Sequence, residues 1–167
     1  MSGNQLTITT IKEIKNSMYE LTDLNNINEE IEPLKILADR ELKSIFGLSG
    51  MVYTPHIDAY NVVSVKKAAI LRYLKNNKVI PFSNTEAVTE QLDLLHKKTK
   101  NRDIVEYKKC KYERRFTPLK LSKSGKVVRK WAKFWFKLDA EDKVNKEWET
   151  QVKEIWPEYF IIRAFDI

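Results

Sequence analysis

Apolar residues recur at helical spacing up to about residue 100 and then alternate at strand spacing, so the chain reads as helices followed by a sheet. Thr10 with Glu13 has the spacing of a capping box, and Ile11, Ile14, Met18 and Leu21 continue it as one helical face. The polar, Asn-rich stretch Asp23–Asn28 suits a turn. Pro33 fits a first helical turn, with Glu29, Glu30 and Glu32 placed where the helix dipole favours negative charge. Leu34, Leu37, Ala38, Leu42 and Ile45 then form a stripe that ends at Gly47, a C-cap. From Gly47 to Val63 the pattern is irregular, with short strands expected at Met51–Tyr53 and Tyr60–Val63. Val65–Asn76 reads as a buried helix and Lys78–Phe82 as a short strand. Ser83 with Glu86 is a second capping box, opening a helix through Val88, Leu92 and Leu95 to about Lys98.

The period then changes to two. Asp103–Leu121 reads as a strand with Pro118 near an edge or bend, Ser122-Lys123-Ser124-Gly125 as a turn, and Lys126–Leu138 as the strongest strand. Asp139 with Asp142 suits the cap of a helix over Ala140–Trp156, whose apolar face is Val144, Trp148, Val152 and Ile155. Pro157 stops it, and Tyr159–Ile167 reads as a final strand. The expected class is α+β: a helical N-terminal half, then a small antiparallel sheet made of a β-hairpin, a crossover helix and a last strand. With no repeat, low-complexity tract or Gly/Ser linker, residues 1–167 read as one domain.

Composition adds a direction. Apolar residues are 43% and charged residues 32% of the chain, which suits a globular fold. A single cysteine, Cys110, excludes an internal disulfide or a cysteine zinc cluster, and no apolar run approaches a membrane span. These features, with no secretory leader pattern, give the expectation of a reducing intracellular setting, cytoplasmic or nuclear/nucleoid, and no membrane partner. The net charge of +7 is unevenly spread. Residues 1–50 hold 5 basic and 8 acidic side chains, whereas residues 97–137 hold 16 basic side chains against Asp103, Glu106 and Glu113. Such a field draws phosphate backbones or acidic protein surfaces.

The strand Lys126–Leu138 carries the most chemistry. At period two, one face presents Val128, Ala132, Phe134, Phe136 and Leu138, a core face. The other presents Val127, Arg129, Trp131, Lys133, Trp135 and Lys137, with aromatics between cations. Bases stack on indoles while cations meet phosphates, which favours single-stranded nucleic acid. The preceding strand adds Tyr107, Lys109, Lys111 and Arg115 on one face, and Tyr112, Arg114 and Phe116 on the other. A basic two-stranded ribbon also suits a major groove. Against this stands a sheet covered on both faces, with Trp131 or Trp135 in the core, or a helix through Val128, Trp131, Ala132 and Trp135.

Other chemistry is thinner. The order helix, helix, basic hairpin is that of a winged helix, yet its reading helix would expose Glu86, Glu90 and Asp93. Asp103-Ile-Val-Glu106-Tyr-Lys108 resembles the metal-binding strand of the PD-(D/E)xK nucleases over six residues. That resemblance implies a Mg²⁺-dependent nuclease with Glu106 on the metal and Lys108 orienting water. The family's further aspartate, on an earlier strand, has no clear counterpart: Asp58 is remote and Asp93 lies in a helix. His56 and His96 lack partner ligands in sequence, Ser124-Gly125-Lys126 lacks the spacing of a phosphate loop, and Cys110 sits among lysines without a histidine. The expectation is therefore a non-catalytic nucleic-acid-binding protein without cofactor or metal. Its polyanion site would comprise Lys109, Lys111, Arg114, Arg115, Arg129, Trp131, Lys133, Trp135 and Lys137. The rival is a protein-interaction module (inhibitor, adaptor or assembly subunit) docking the same basic face on an acidic partner, with oligomers allowed by the opposed charges of the two halves.

Overall fold

The computed structural model describes residues 18–165. Helices α1 (Leu21–Ile45) and α2 (Pro55–Asn76) form an antiparallel pair. Tyr19 meets Tyr73 edge-on at one end, and the Glu41 carboxylate accepts from the Ile57 N–H at 2.7 Å at the other. Between them Ile27 and Ile31 pack on Val63, Ile70 and Leu74. Burying an isoleucine is worth about 1.5–3 kcal/mol, against at most ~0.7 kcal/mol of helix propensity lost at each asparagine. Asp23–Asn28 is therefore helix and not the expected turn. Pro33 lies within α1 and not at its start, on the exposed side, where water can serve the Glu29 carbonyl that loses its donor. Of the expected stripe, Ala38 is buried but Leu37 and Leu42 are exposed.

Gly47 ends α1 as expected, in the left-handed region at φ +84°. α2 begins at Pro55, ten residues ahead of the expected Val65, with proline in the first helical turn and Asp58 beside it. Met51–Tyr53 is thus an irregular link and Tyr60–Val63 belongs to α2, with Val63 buried against α1. Lys78–Phe82 is no strand either. Lys78 takes φ +59° and the N–H groups of Val79 and Ile80 bond back to the Leu74 carbonyl, closing α2. Helix α3 (Asn84–Leu95) starts on the expected capping box: Ser83 Oγ accepts from the Glu86 N–H at 3.2 Å, and Glu86 accepts from the Ser83 N–H at 3.1 Å. Glu86 also holds the buried Lys75 ammonium, tying α3 to α2.

Strands β1 (Ile104–Tyr107), β2 (Cys110–Leu121) and β3 (Val128–Leu138) form one antiparallel sheet in that order, so the class is α+β as expected. The single strand expected over Asp103–Leu121 is folded in two at Lys108–Lys109, with Tyr107 opposite Cys110. Both lysines have positive φ, +47° and +65°, as a type I′ hairpin turn demands. Asn-Gly normally signals that turn, and two lysines give no such signal. The turn from Ser122 to Gly125 is where it was expected, with Gly125 at φ +71° donating its N–H to the Ser122 carbonyl at 2.9 Å. Pro118 sits where the β2 backbone turns away from β3, a position with no ladder bond to lose, and the register slips just after it.

Helix α4 (Lys146–Ile155) starts six residues after the expected Ala140. Asp139 Oδ1 instead accepts from the N–H groups of Glu141 and Lys143, holding a turn, and Asn145 supplies the cap. The apolar face is the expected one, with Trp148, Val152 and Ile155 buried. The last strand is a correction: Glu158–Phe165 is helix α5. A short apolar run does not distinguish strand from helix by period, and here Tyr159 and Phe160 lay their rings on Phe134 across the sheet. One stretch of the β3 edge is already occupied. Trp148 Nε1 donates to the Trp135 carbonyl at 2.9 Å and the Asn145 N–H to that of Lys137 at 2.8 Å. The helix expected from Thr10 lies outside the described residues as far as residue 17, as do residues 166 and 167 of the expected last strand; Met18–Glu20, expected to continue that helix, are not helical, and Leu21 opens α1 instead.

Two outcomes follow from this fold. Replacing Lys108 by Asn together with Lys109 by Gly relieves two left-handed lysines and raises unfolding free energy by about 1 kcal/mol in urea titration. Burial alone would raise the Glu86 carboxyl, but the bonds from Lys75 and Ser83 and the Lys75 charge outweigh it and hold the group below its usual value. A lowered carboxylate stabilises the fold above its unfolded value and loses that stabilisation as pH falls through the folded one. Stability measured against pH therefore drops below the usual glutamate range, and Glu86→Gln flattens that drop.

Candidate nucleic-acid interface

The sheet separates the expected basic residues into groups with different surroundings. On one face β2 and β3 place Tyr112 opposite Lys137, Arg114 opposite Trp135, Phe116 opposite Lys133 and Pro118 opposite Trp131. On the other lie Glu113, Arg115 and Thr117 with Phe136, Phe134 and Ala132. Helix α3 lies over part of the first face. Asp93 Oδ1 accepts from Arg114 Nη1 at 2.7 Å and from Trp135 Nε1 at 2.8 Å, and the Arg114 guanidinium stacks 4.6 Å from the indole centre. Leu92 packs in the same cluster and the His96 ring stands 6.2 Å from Trp135.

Two of the expected site residues are therefore structural. Trp135 is 0% exposed and Arg114 7%, so neither can meet a ligand at the surface. Alternation placed Trp135 on the same face as Trp131, and at Trp135 the alternative of a covered sheet holds: α3 lies over it and supplies a carboxylate that accepts from the indole N–H and from Arg114 Nη1. Arg115 is also committed, paired with Glu113 and lying over Phe136 at 5.2 Å. Lys109 and Lys111 are exposed, but at the far end of β2, roughly 30 Å along the strand from Lys120 at 3.3 Å per residue. Lys111 stands 3.3 Å from Asp142 there, and Lys137 is half-buried opposite Tyr112. The nuclease-like pair is split as well: Glu106 is on β1, opposite Lys111, while Lys108 leaves the strand at the turn.

Arg129, Trp131 and Lys133 do come together, on the distal half of the β2–β3 hairpin. Trp131 is 48% exposed, its ring 6.5 Å from that of Phe116, and Lys133 Nζ sits 5.0 Å from the centre of the same Phe116 ring. The structure adds four cations that the strand-face reading passed over: Lys120, Lys123, Lys126 and Lys130, all exposed. A signal for them was present, since no acidic residue occurs between Glu113 and Asp139. Nothing matches this chain among protein-family models, curated proteins or solved structures. The surface must therefore be read on its own chemistry.

Among the described residues, Lys120, Lys123, Lys126, Arg129, Lys130 and Lys133 make no ion pair. From Pro118 to Ala132 no hydrogen bond joins the hairpin to another element of the described chain; Thr117 Oγ1, bonded to the Tyr159 carbonyl at 2.9 Å, is the last such tie on β2. The distal hairpin thus carries, beside one exposed indole, six cations that make no ion pair among the described residues. Among the described residues no helix is long and apolar enough to cross a membrane, and no three His, Cys, Asp or Glu side chains converge as metal ligands do.

The Asp93 joint has a measurable weight. Asp93→Ala leaves the Arg114 guanidinium buried without its counter-charge and removes two hydrogen bonds, so unfolding free energy falls by about 2–3 kcal/mol. Adding Arg114→Met to that variant recovers part of the loss, read from a double-mutant cycle in denaturant.

Proposed function

We propose that this protein binds nucleic acid without catalysis, through the basic arm formed by the distal β2–β3 hairpin. The observation that carries the reading is the group of six exposed Lys and Arg side chains along the distal hairpin with Trp131, which make no ion pair among the described residues. Cations left without acidic neighbours add to a positive field that draws phosphates and releases their counterions on binding. Trp131, beside Phe116, offers an aromatic surface on which a base or sugar can pack. Compared with the surface expected from sequence, the working residues are Lys120, Lys123, Lys126, Arg129, Lys130, Trp131 and Lys133. Lys109 and Lys111 form a separate, distant group.

A second reading has an observation of its own. The link between α1 and α2 exposes Phe46, Leu48, Met51 and Tyr53, and no charged residue lies between Lys43 and Asp58. An uncharged apolar loop suits a protein contact. In this reading the chain is an adaptor whose basic arm faces an acidic protein.

Fluorescence anisotropy with labelled oligonucleotides separates the two. Binding should weaken steeply with salt, and Lys130→Glu with Lys133→Glu should lower affinity by ~10-fold or more and flatten the salt slope by roughly one for each phosphate no longer neutralised. Affinity and slope unchanged in that variant would sink the assignment of the arm.

A further inference from the structure

We infer that the arm takes double-stranded DNA of B form, entering the major groove; this rests on the nucleic-acid reading above. The alternation of aromatic and cationic residues along β3 favoured a single strand, but that alternation is broken once Trp135 is 0% exposed beneath α3. What remains is one open indole and the half-buried Phe116, too short a row to stack successive bases.

The cations are arranged differently. Arg129 and Lys133 share the face of Trp131 and Lys130 points to the opposite face, with Lys120 as its register partner at a bulge in β2. Lys123 and Lys126 stand in the turn at the tip. Charge on both faces and the tip matches a groove, whose phosphates line both walls, better than a single backbone lying along one face. Lys120 stands opposite Lys130 across the ladder. Like charges so placed destabilise a hairpin in the free protein, and phosphates on either side would relieve them.

The dimensions agree. From the pair Pro118–Trp131 to the pair Leu121–Val128 the ribbon runs roughly 10 Å before the turn, by strand rise. That reach matches the roughly 8.5 Å depth of the B-DNA major groove, which at about 12 Å wide admits a two-stranded ribbon, whereas the deep and narrow major groove of A-form RNA does not.

The test uses the full chain and three labelled probes: a mixed-sequence DNA duplex of about two helical turns (~20 base pairs), one of its strands alone, and an RNA duplex of the same sequence. The DNA duplex should bind ~10-fold or more tightly than either of the others, measured by anisotropy at low and moderate salt. Lys120→Glu should weaken duplex binding by ~10-fold while the thermal midpoint holds or rises, because a carboxylate would then face Lys130. A single strand or RNA duplex binding as tightly as the DNA duplex overturns the groove assignment and leaves the nucleic-acid reading standing. Binding to none of the three overturns both.

Discussion

One carboxylate oxygen on α3 accepts from both an arginine and a tryptophan of the sheet, and the division between core and surface in the C-terminal half depends on it. Asp93 reaches down from the helix, and Arg114 and Trp135, opposite one another on β2 and β3, meet it together. Each partner needs the others. The indole N–H would be costly to bury without an acceptor, and the guanidinium more so without a negative charge. With all three in place, helix α3 can lie on a sheet face that would otherwise be an open row of aromatics and cations. Arg114 and Trp135 are near the middle of that face, so closing it there leaves only the ends of the hairpin exposed.

The opposite face is closed by ordinary apolar packing. Phe134 and Phe136 lie edge to face, and Tyr159 and Phe160 of α5 cover Phe134. The Trp148 indole bonds to a β3 carbonyl that has no strand to accept from, so α4 protects one stretch of the sheet edge as well as a core. Past that stretch, β3 carries Arg129, Lys130 and Lys133 along its open edge, and lysines at an edge discourage pairing with another strand. The same charges that keep the arm from adding strands make it suited to a polyanion.

At the N-terminal end the physics is simpler. Two helices packed only along one stripe cannot bury all their apolar residues, and the residue of that mismatch gathers in the link between them, where Phe46 is 90% and Met51 87% exposed. Glu86 joins this helical pair to the rest by capping α3 and holding Lys75 of α2 at once. Residues 20–58 hold eight acids against Lys35, Arg40 and Lys43, while residues 114–138 hold nine basic side chains and no acid. The protein thus carries an acidic helical arm and a basic β-arm on one framework.

The sequence by itself determined the class, the two-residue period of β3 and its core face, the capping box of Ser83 and Glu86, the turn at Gly125 and the apolar face of Trp148, Val152 and Ile155. These are local signals, written in spacing and in residues whose side chains serve their own backbone. It also marked the basic run, because charge is additive and does not wait for folding. Tertiary structure decided the rest. Whether Asn-rich Asp23–Asn28 was turn or helix depended on a partner for Ile27 and Ile31, and whether Tyr159 continued a sheet depended on a β3 edge of which Trp148 had already taken one stretch. Lys108–Lys109 became a hairpin because strand pairing on both sides holds two lysines in a conformation they do not choose alone. Trp131 and Trp135 are alike in sequence, each flanked by alternating cations. Only one has an aspartate above it, and a carboxylate delivered from forty residues away leaves no trace in the pattern of either strand.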